Sequence, residues 1–193
     1  MPGKPWEHNY FGSPEDLNAA GAVIAAWNSC EFALHQLLFR VLKVDWKLMA
    51  RIFNLLGNEA REELLRLHSR EVLCSEELEA VETFLEFQRI CRENRNLVAH
   101  ATYNSNSVEG GVSLSRSSRR DRLTTQSFSI STKEMWEVAQ ATYDVSQFGS
   151  TLAMAIWAGP GRTLFAGERR IPTPIPQAPN KPRRITTENI RHE

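Results

Sequence analysis

At 193 residues, with 41% apolar and 24% charged side chains, the chain has an ordinary globular composition and enough length for one core plus tails. Lysine plus arginine and aspartate plus glutamate both number 23, so no overall basic field draws in nucleic acid and any polyanion binding has to be local. The three cysteines, Cys30, Cys74 and Cys91, are scattered and form no Cys-x-x-Cys pair, which excludes a disulfide framework or a zinc site and suits a reducing cytosol.

The first residues, MPGKPWEHNYFGSPED, are polar and lack an apolar h-region, so no secretory signal is expected. Of the most apolar windows, 17–42 is broken by Asn28, Glu31, His35 and Arg40, and 151–158 is too short to span a bilayer. The expectation is a soluble cytoplasmic protein without a membrane partner. Residues 1–12 read as an N-terminal arm.

A first helix is expected from Ser13, an N-cap followed by Pro14 and the acids Glu15 and Asp16. Its stripe is Leu17, Ala20, Ile24, Trp27, Glu31, Leu34, Leu38 and Val41, helical spacing with one carboxylate inside it, and it ends near Lys43. A second helical region runs from Trp46 to about Leu73, kinked or split at Gly57. A third begins near Ser75, followed by Glu76 and Glu77. Its seam of Ala80, Phe84, Phe87, Cys91, Asn94, Val98 and Ala101 alternates steps of four and three, with Asn94 as its one polar member.

Residues 102–131 change character, with short alternations at Val112-Ser113-Leu114 and Phe128-Ser129-Ile130. They predict a β-hairpin with a basic tip carrying Arg116, Arg119, Arg120 and Arg122. A last helix follows the capping box Ser131/Glu134, runs to about Ala158 and is stopped by Gly159-Pro160-Gly161. In residues 159–193, Pro172, Pro174, Pro176, Pro179 and Pro182 rule out helix or central strand, and basic residues accompany them. The expectation there is an extended, largely disordered tail. The fold class is therefore all-α: an antiparallel bundle of about four long helices over 13–158, with a hairpin inserted before the last.

The chemistry concentrates at Arg95-Asn96-Leu97-Val98-Ala99-His100, near the end of the third predicted helix. Arginine binds phosphate, and a histidine with its pKa near neutrality moves a proton. His100 falls roughly 140° round the helix from Arg95, whereas Asn96, Glu93 and Arg89 share its row. The geometry closes in one of two ways: the helix loosens at Ala99-His100, or a second copy of it faces the first.

Arg95-Asn96-x-x-x-His100 in this position resembles the R-x(4–6)-H motif of the HEPN superfamily, with a polar residue after the arginine, and the resemblance spans roughly 13–158. It implies an all-α bundle that dimerises through the motif helices. It further implies a metal-independent endoribonuclease without cofactors, of the kind found in toxin–antitoxin and phage-defence systems, leaving 2′,3′-cyclic phosphate ends on its RNA. His100 would be general base or acid, Arg95 the phosphate clamp, and Asn96 an orienting or donating group. Glu31, on the first stripe, would fix Arg95 or Arg92, and Glu93 would support the row. An inhibitory protein partner fits such a system, and the basic hairpin tip would contact RNA phosphates.

Plainer readings stand beside these. Arg95 is a surface arginine, and His100 favours the dipole at a helix end. Glu31 is a structural ion pair. Asn94 specifies helix pairing. His35 and His68 are core-edge histidines. Trp27 and Trp46 pack. The tip is a solvated loop, and the tail recruits a partner or solubilises. On these readings the protein is a non-catalytic dimerisation, partner-binding or nucleotide-binding module.

Overall fold

The computed structural model describes residues 13–100, 102–104, 111–117, 125–158 and 174–185; within the strands, side chains are described at 112–115 and 128–131. The fold is all-α, an antiparallel helical bundle with a β-hairpin before the last helix. Its order is α1 (Pro14–Leu42), α2 (Trp46–Leu55), α3 (Asn58–Val72), α4 (Ser75–His100), β1 (Thr102–Asn104), β2 (Gly111–Ser117), β3 (Thr125–Ser131) and α5 (Thr132–Ala158). Among the described residues no helix is long and apolar enough to cross a membrane.

Local chemistry sets most helix ends. At the start of α1 the Asp16 N–H donates to Ser13 Oγ at 3.2 Å, and the Asp16 carboxylate accepts from the Ser13 N–H at 2.7 Å. That is a capping box with aspartate in the acidic position. Lys43, just past α1, takes a φ of 53°, the left-handed conformation that glycine usually supplies. The second predicted region divides at Gly57 into α2 and α3, because Leu56 and Gly57 are both extended. The cap of α4 lies one residue earlier than expected: Leu78 N–H bonds to the Cys74 carbonyl, and Glu77 accepts from the Cys74 N–H. The Ser131/Glu134 box is formed, with Ser131 donating to the Glu134 carboxylate and receiving the Glu134 N–H.

The described chain divides into two compact units. The first takes the described residues within Met1–Trp27, Ile90–Thr142 and Pro182–Glu193. Its core gathers Ala19, Ala20 and Val23 of α1, Val98 of α4, and Met135, Val138 and Ala139 of α5 against Val112, Leu114, Phe128 and Ile130 of the sheet. Strand alternation produces that apolar face, since Val112 pairs with Ile130 and Leu114 with Phe128. The hairpin also gains β1 on its outer edge, giving an antiparallel order β1-β2-β3. Asp16 belongs to this unit, and its carboxylate also receives the Thr132 hydroxyl. Burial alone would raise the Asp16 carboxyl, but the hydrogen bonds from Thr132 and Ser13 hold it below its usual range.

The second unit comprises Asn28–Arg89 and Tyr143–Lys181. Leu34, Leu37, Leu38, Met49, Leu65, Phe84, Leu85 and Leu152 are among its buried residues. Gly149 of α5 lies directly on the Phe84 ring; a Cβ there would stand 2.3 Å from a ring carbon.

The buried face of α1 differs from the expected stripe. Ala20, Val23, Trp27, Cys30, Leu34, Leu37 and Val41 are buried, whereas Leu17 and Ile24 are 50% and 40% exposed. Ala19, Ala26 and Ala33 flank the buried row, so small side chains turn the face away from the larger Leu17 and Ile24. On α4, Phe84, Phe87, Cys91, Asn94 and Val98 are buried as the seam requires; Ala80 is half-buried, and Ala101 lies outside the described residues.

Of the Pro-rich tail, residues 174–185 are described, without regular secondary structure. Pro182 is buried and Ile185 packs on the core of the first unit. Residues 159–173 and 186–193 lie outside the described residues.

Candidate active site

α4 stays helical through His100, so the helix does not loosen before the histidine. His100 is its last residue and is exposed, while Asn96 and Arg95 are half-buried. Arg95 Nη1 donates to Asn96 Oδ1 at 3.0 Å, and the guanidinium carbon lies 5.3 Å from the centre of the Trp27 ring. Arg95 Nε is buried without a hydrogen-bond partner, as is Nε1 of the fully buried Trp27. The arginine is therefore held by an aromatic face on one side and a side-chain amide on the other. Asn96 accepts from Arg95 through its carbonyl oxygen, so its amide nitrogen is the group it has to donate with.

Arg95 and Asn96 are thus brought together. His100 stands on the Asn96 side of the helix, about 140° from Arg95. Glu93, on the same row as His100, pairs with Arg184 of the tail at 3.3 Å. Of the expected basic tip, Arg116 lies in β2 opposite Gln126; Arg119, Arg120 and Arg122 lie outside the described residues.

The expected pairing of Glu31 with Arg95 or Arg92 is corrected. Glu31 is half-buried and its carboxylate lies 3.5 Å from Arg61 of α3. Arg61 is fixed further by the Phe53 carbonyl at 2.9 Å, by Asn58 at 3.0 Å and by the Phe53 ring at 3.7 Å. A long side chain anchored at three other points meets the carboxylate with little further ordering. This cluster belongs to the second unit, and so does His35, whose ring lies 4.5 Å from Trp46 and 4.7 Å from Phe53. Burial, with the nearby Arg61 charge, pushes the His35 imidazole below its usual pKa.

One contact of the site escaped the sequence. The support of Arg95 by Trp27 joins separate helices and has no local signal. Asn94, by contrast, was conspicuous as a polar residue on an apolar seam. Its amide donates to the Arg183 carbonyl at 2.8 Å and its oxygen accepts the Ile185 N–H at 3.0 Å, so it holds the tail backbone.

The second unit contains an open concavity of about 540 Å³, lined by Arg40, Lys43, Val72, Leu73, Glu77 and Trp157 among others, with none of the motif residues. Arg40 is stacked there between Phe39 and Trp157, at 4.9 and 4.8 Å. Among the described residues no group of three or more His, Cys, Asp or Glu is placed to hold a metal ion. No family model matches the chain, and neither a curated protein nor a solved structure matches it.

Proposed function

We propose that the chain is a metal-independent endoribonuclease of the HEPN type, acting as a cytoplasmic homodimer in a toxin–antitoxin, stress or phage-defence setting. One observation supports the reading above all. A hydrogen-bonded Arg95–Asn96 pair sits beside the helical row that ends in the exposed His100. Because Arg95 and His100 diverge on one helix, the composite site draws on two copies of α4. Apolar surface for a second copy is available in the same unit, where Leu17, Ile24 and Trp136 are 40% to 50% exposed.

In the proposed reaction, His100 of one copy takes the proton from a ribose 2′-hydroxyl. The 2′-oxygen bonds to phosphorus, the bond to the 5′-oxygen breaks, and the protonated His100 of the other copy gives that oxygen its proton. The products are a 2′,3′-cyclic phosphate and a 5′-hydroxyl. Arg95 binds the non-bridging oxygens as their charge grows. Asn96 orients the arginine and offers its amide to the phosphate. Arg116, Arg119, Arg120 and Arg122 contact flanking phosphates, and an inhibitory protein partner restrains the enzyme.

The test is cleavage of mixed RNA in EDTA by wild type, His100→Ala and Arg95→Ala, each shown to be folded. The expected result is cutting by wild type with cyclic phosphate ends, reduced about 10²–10⁴-fold in His100→Ala. No cutting by the folded dimer, or equal cutting by all three, overturns it.

A second reading draws on the burial of Arg95 Nε against Trp27, which suits a packing role. In it the bundle is a non-catalytic dimerisation or partner-binding module, or a nucleotide-binding module in which Arg95 holds a phosphate. A specific nucleotide that raises the melting temperature of the uncut, non-cutting protein selects the latter.

A further inference from the structure

The tail follows α4 in step. Lys181 pairs with Glu86 at 2.5 Å, Arg184 with Glu93 at 3.3 Å, and Asn94 bonds to the backbone on either side of Arg184. From Arg183 to Ile185 the segment therefore runs beside Glu93 and Asn94 of α4.

Two sets of residues divide the work along this segment. Asn94, which is 2% exposed, grips the main chain, Pro182 is buried and Ile185 packs on the core. Arg183 and Arg184 contribute little to that hold. Their side chains are 77% and 54% exposed, and their ion pairs, Arg183 with Glu134 at 4.0 Å and Arg184 with Glu93, are solvent-accessible. Exposed pairs of this kind hold weakly, so both guanidinium groups can turn from their carboxylates towards a phosphate.

The position of Arg184 gives this a direction. Its partner Glu93 stands only about 20° from His100 round α4 and about 10 Å along it. Arg95, the motif arginine, is on another side of the helix, against Trp27. Arg184 of the tail therefore places a second cation beside the histidine row of α4, on which Arg89 also stands.

We propose that the segment Lys181–Ile185 is a built part of the RNA-binding surface, with Arg183 and Arg184 contacting phosphates that flank the scissile one. The proposal rests on the endoribonuclease reading and deepens it. Asn94 acts as the positioning residue, because it sets the path of the backbone that carries both arginines. The axial offset from His100 assigns these arginines to binding, not to the reacting phosphate.

The experiment uses full-length chain carrying His100→Ala, so that RNA is bound without being cut, and a labelled single-stranded RNA titrated across a salt series. Arg183→Ala/Arg184→Ala is compared with its parent and with Arg183→Lys/Arg184→Lys. Losing two phosphate contacts on a single strand is expected to lower the slope of log affinity against log salt by about 1.4. The lysine pair is expected to keep the slope. An unchanged slope in the alanine pair overturns the proposal. Tighter binding by that pair also overturns it, and makes the segment a cover over the site. If wild type cuts RNA while the alanine pair keeps its slope, the endoribonuclease reading stands and this inference alone falls. A parent that binds no RNA removes both.

Discussion

His35 shows how one residue ties stability to pH. Its ring is packed against Trp46 and Phe53, and its buried Nε2 has no hydrogen-bond partner. Burial and the Arg61 charge, which itself faces Glu31, keep the imidazole neutral in the fold, below the ordinary value of 6.5. The unfolded chain therefore takes up this proton first as pH falls. The stability the group contributes is present in full above about pH 6.5 and declines as pH falls towards the lower folded value. Wild type is expected to melt at a lower temperature at pH 5.5 than at 7.5, and His35→Phe, which keeps an aromatic ring in the nest, to lose less. Thermal melts at both values check it, and equal losses in the two proteins would sink the idea. The two carboxyls that cap helices do not compete in this window. Hydrogen bonds hold Asp16 and Glu134 below the usual carboxylate range, so their contributions fade only in stronger acid.

Among the elements, α5 depends on a missing side chain. Phe84 is fully buried and its ring occupies the space a Cβ on residue 149 would need. Gly149→Ala improves helix propensity by about 1 kcal/mol. Displacing a packed ring costs typically 1–3 kcal/mol. The expected outcome is net destabilisation, read as a lower urea midpoint with an unchanged slope; a higher midpoint would mean that the ring gives way freely. Phe148, the residue before Gly149, is buried as well. Helix ends were legible in the sequence: the Ser13/Asp16 and Ser131/Glu134 boxes are made by residues three apart, so the chemistry is written where it acts. The α1 face was less legible. Leu17 and Ile24 satisfy the helical period as well as Val23 does, and the period alone does not say that Ala19, Ala26 and Ala33 are buried in their place.

At the scale of the whole molecule, the chain returns to α4 after almost ninety residues. Asn94 was visible as a break in an apolar seam, but a pattern of steps along one helix does not reveal a partner 89 and 91 positions away. Glu31 is a similar case: its place on α1 called for a cation, and the one it meets, Arg61, comes from another helix. Asn94→Ala is expected to strand the Arg183 carbonyl and the Ile185 N–H, at about 2 kcal/mol. That favours the released segment roughly thirtyfold. Because local opening limits such cleavage, trypsin should cut after Arg183 and Arg184 correspondingly faster; an unchanged rate would mean that Pro182 and Ile185 hold the segment unaided. The cysteines have a use at this scale. Cys30 and Cys91 are buried, and burial pushes the Cys91 thiol up to about 11, whereas Cys74 is exposed. A thiol-reactive spin label on the unaltered chain is thus directed to the foot of α4, a helix of 26 residues, about 39 Å long, with His100 at its head. In a dimer, the separation of two such labels reads the polarity with which two motif helices meet, without a single engineered substitution.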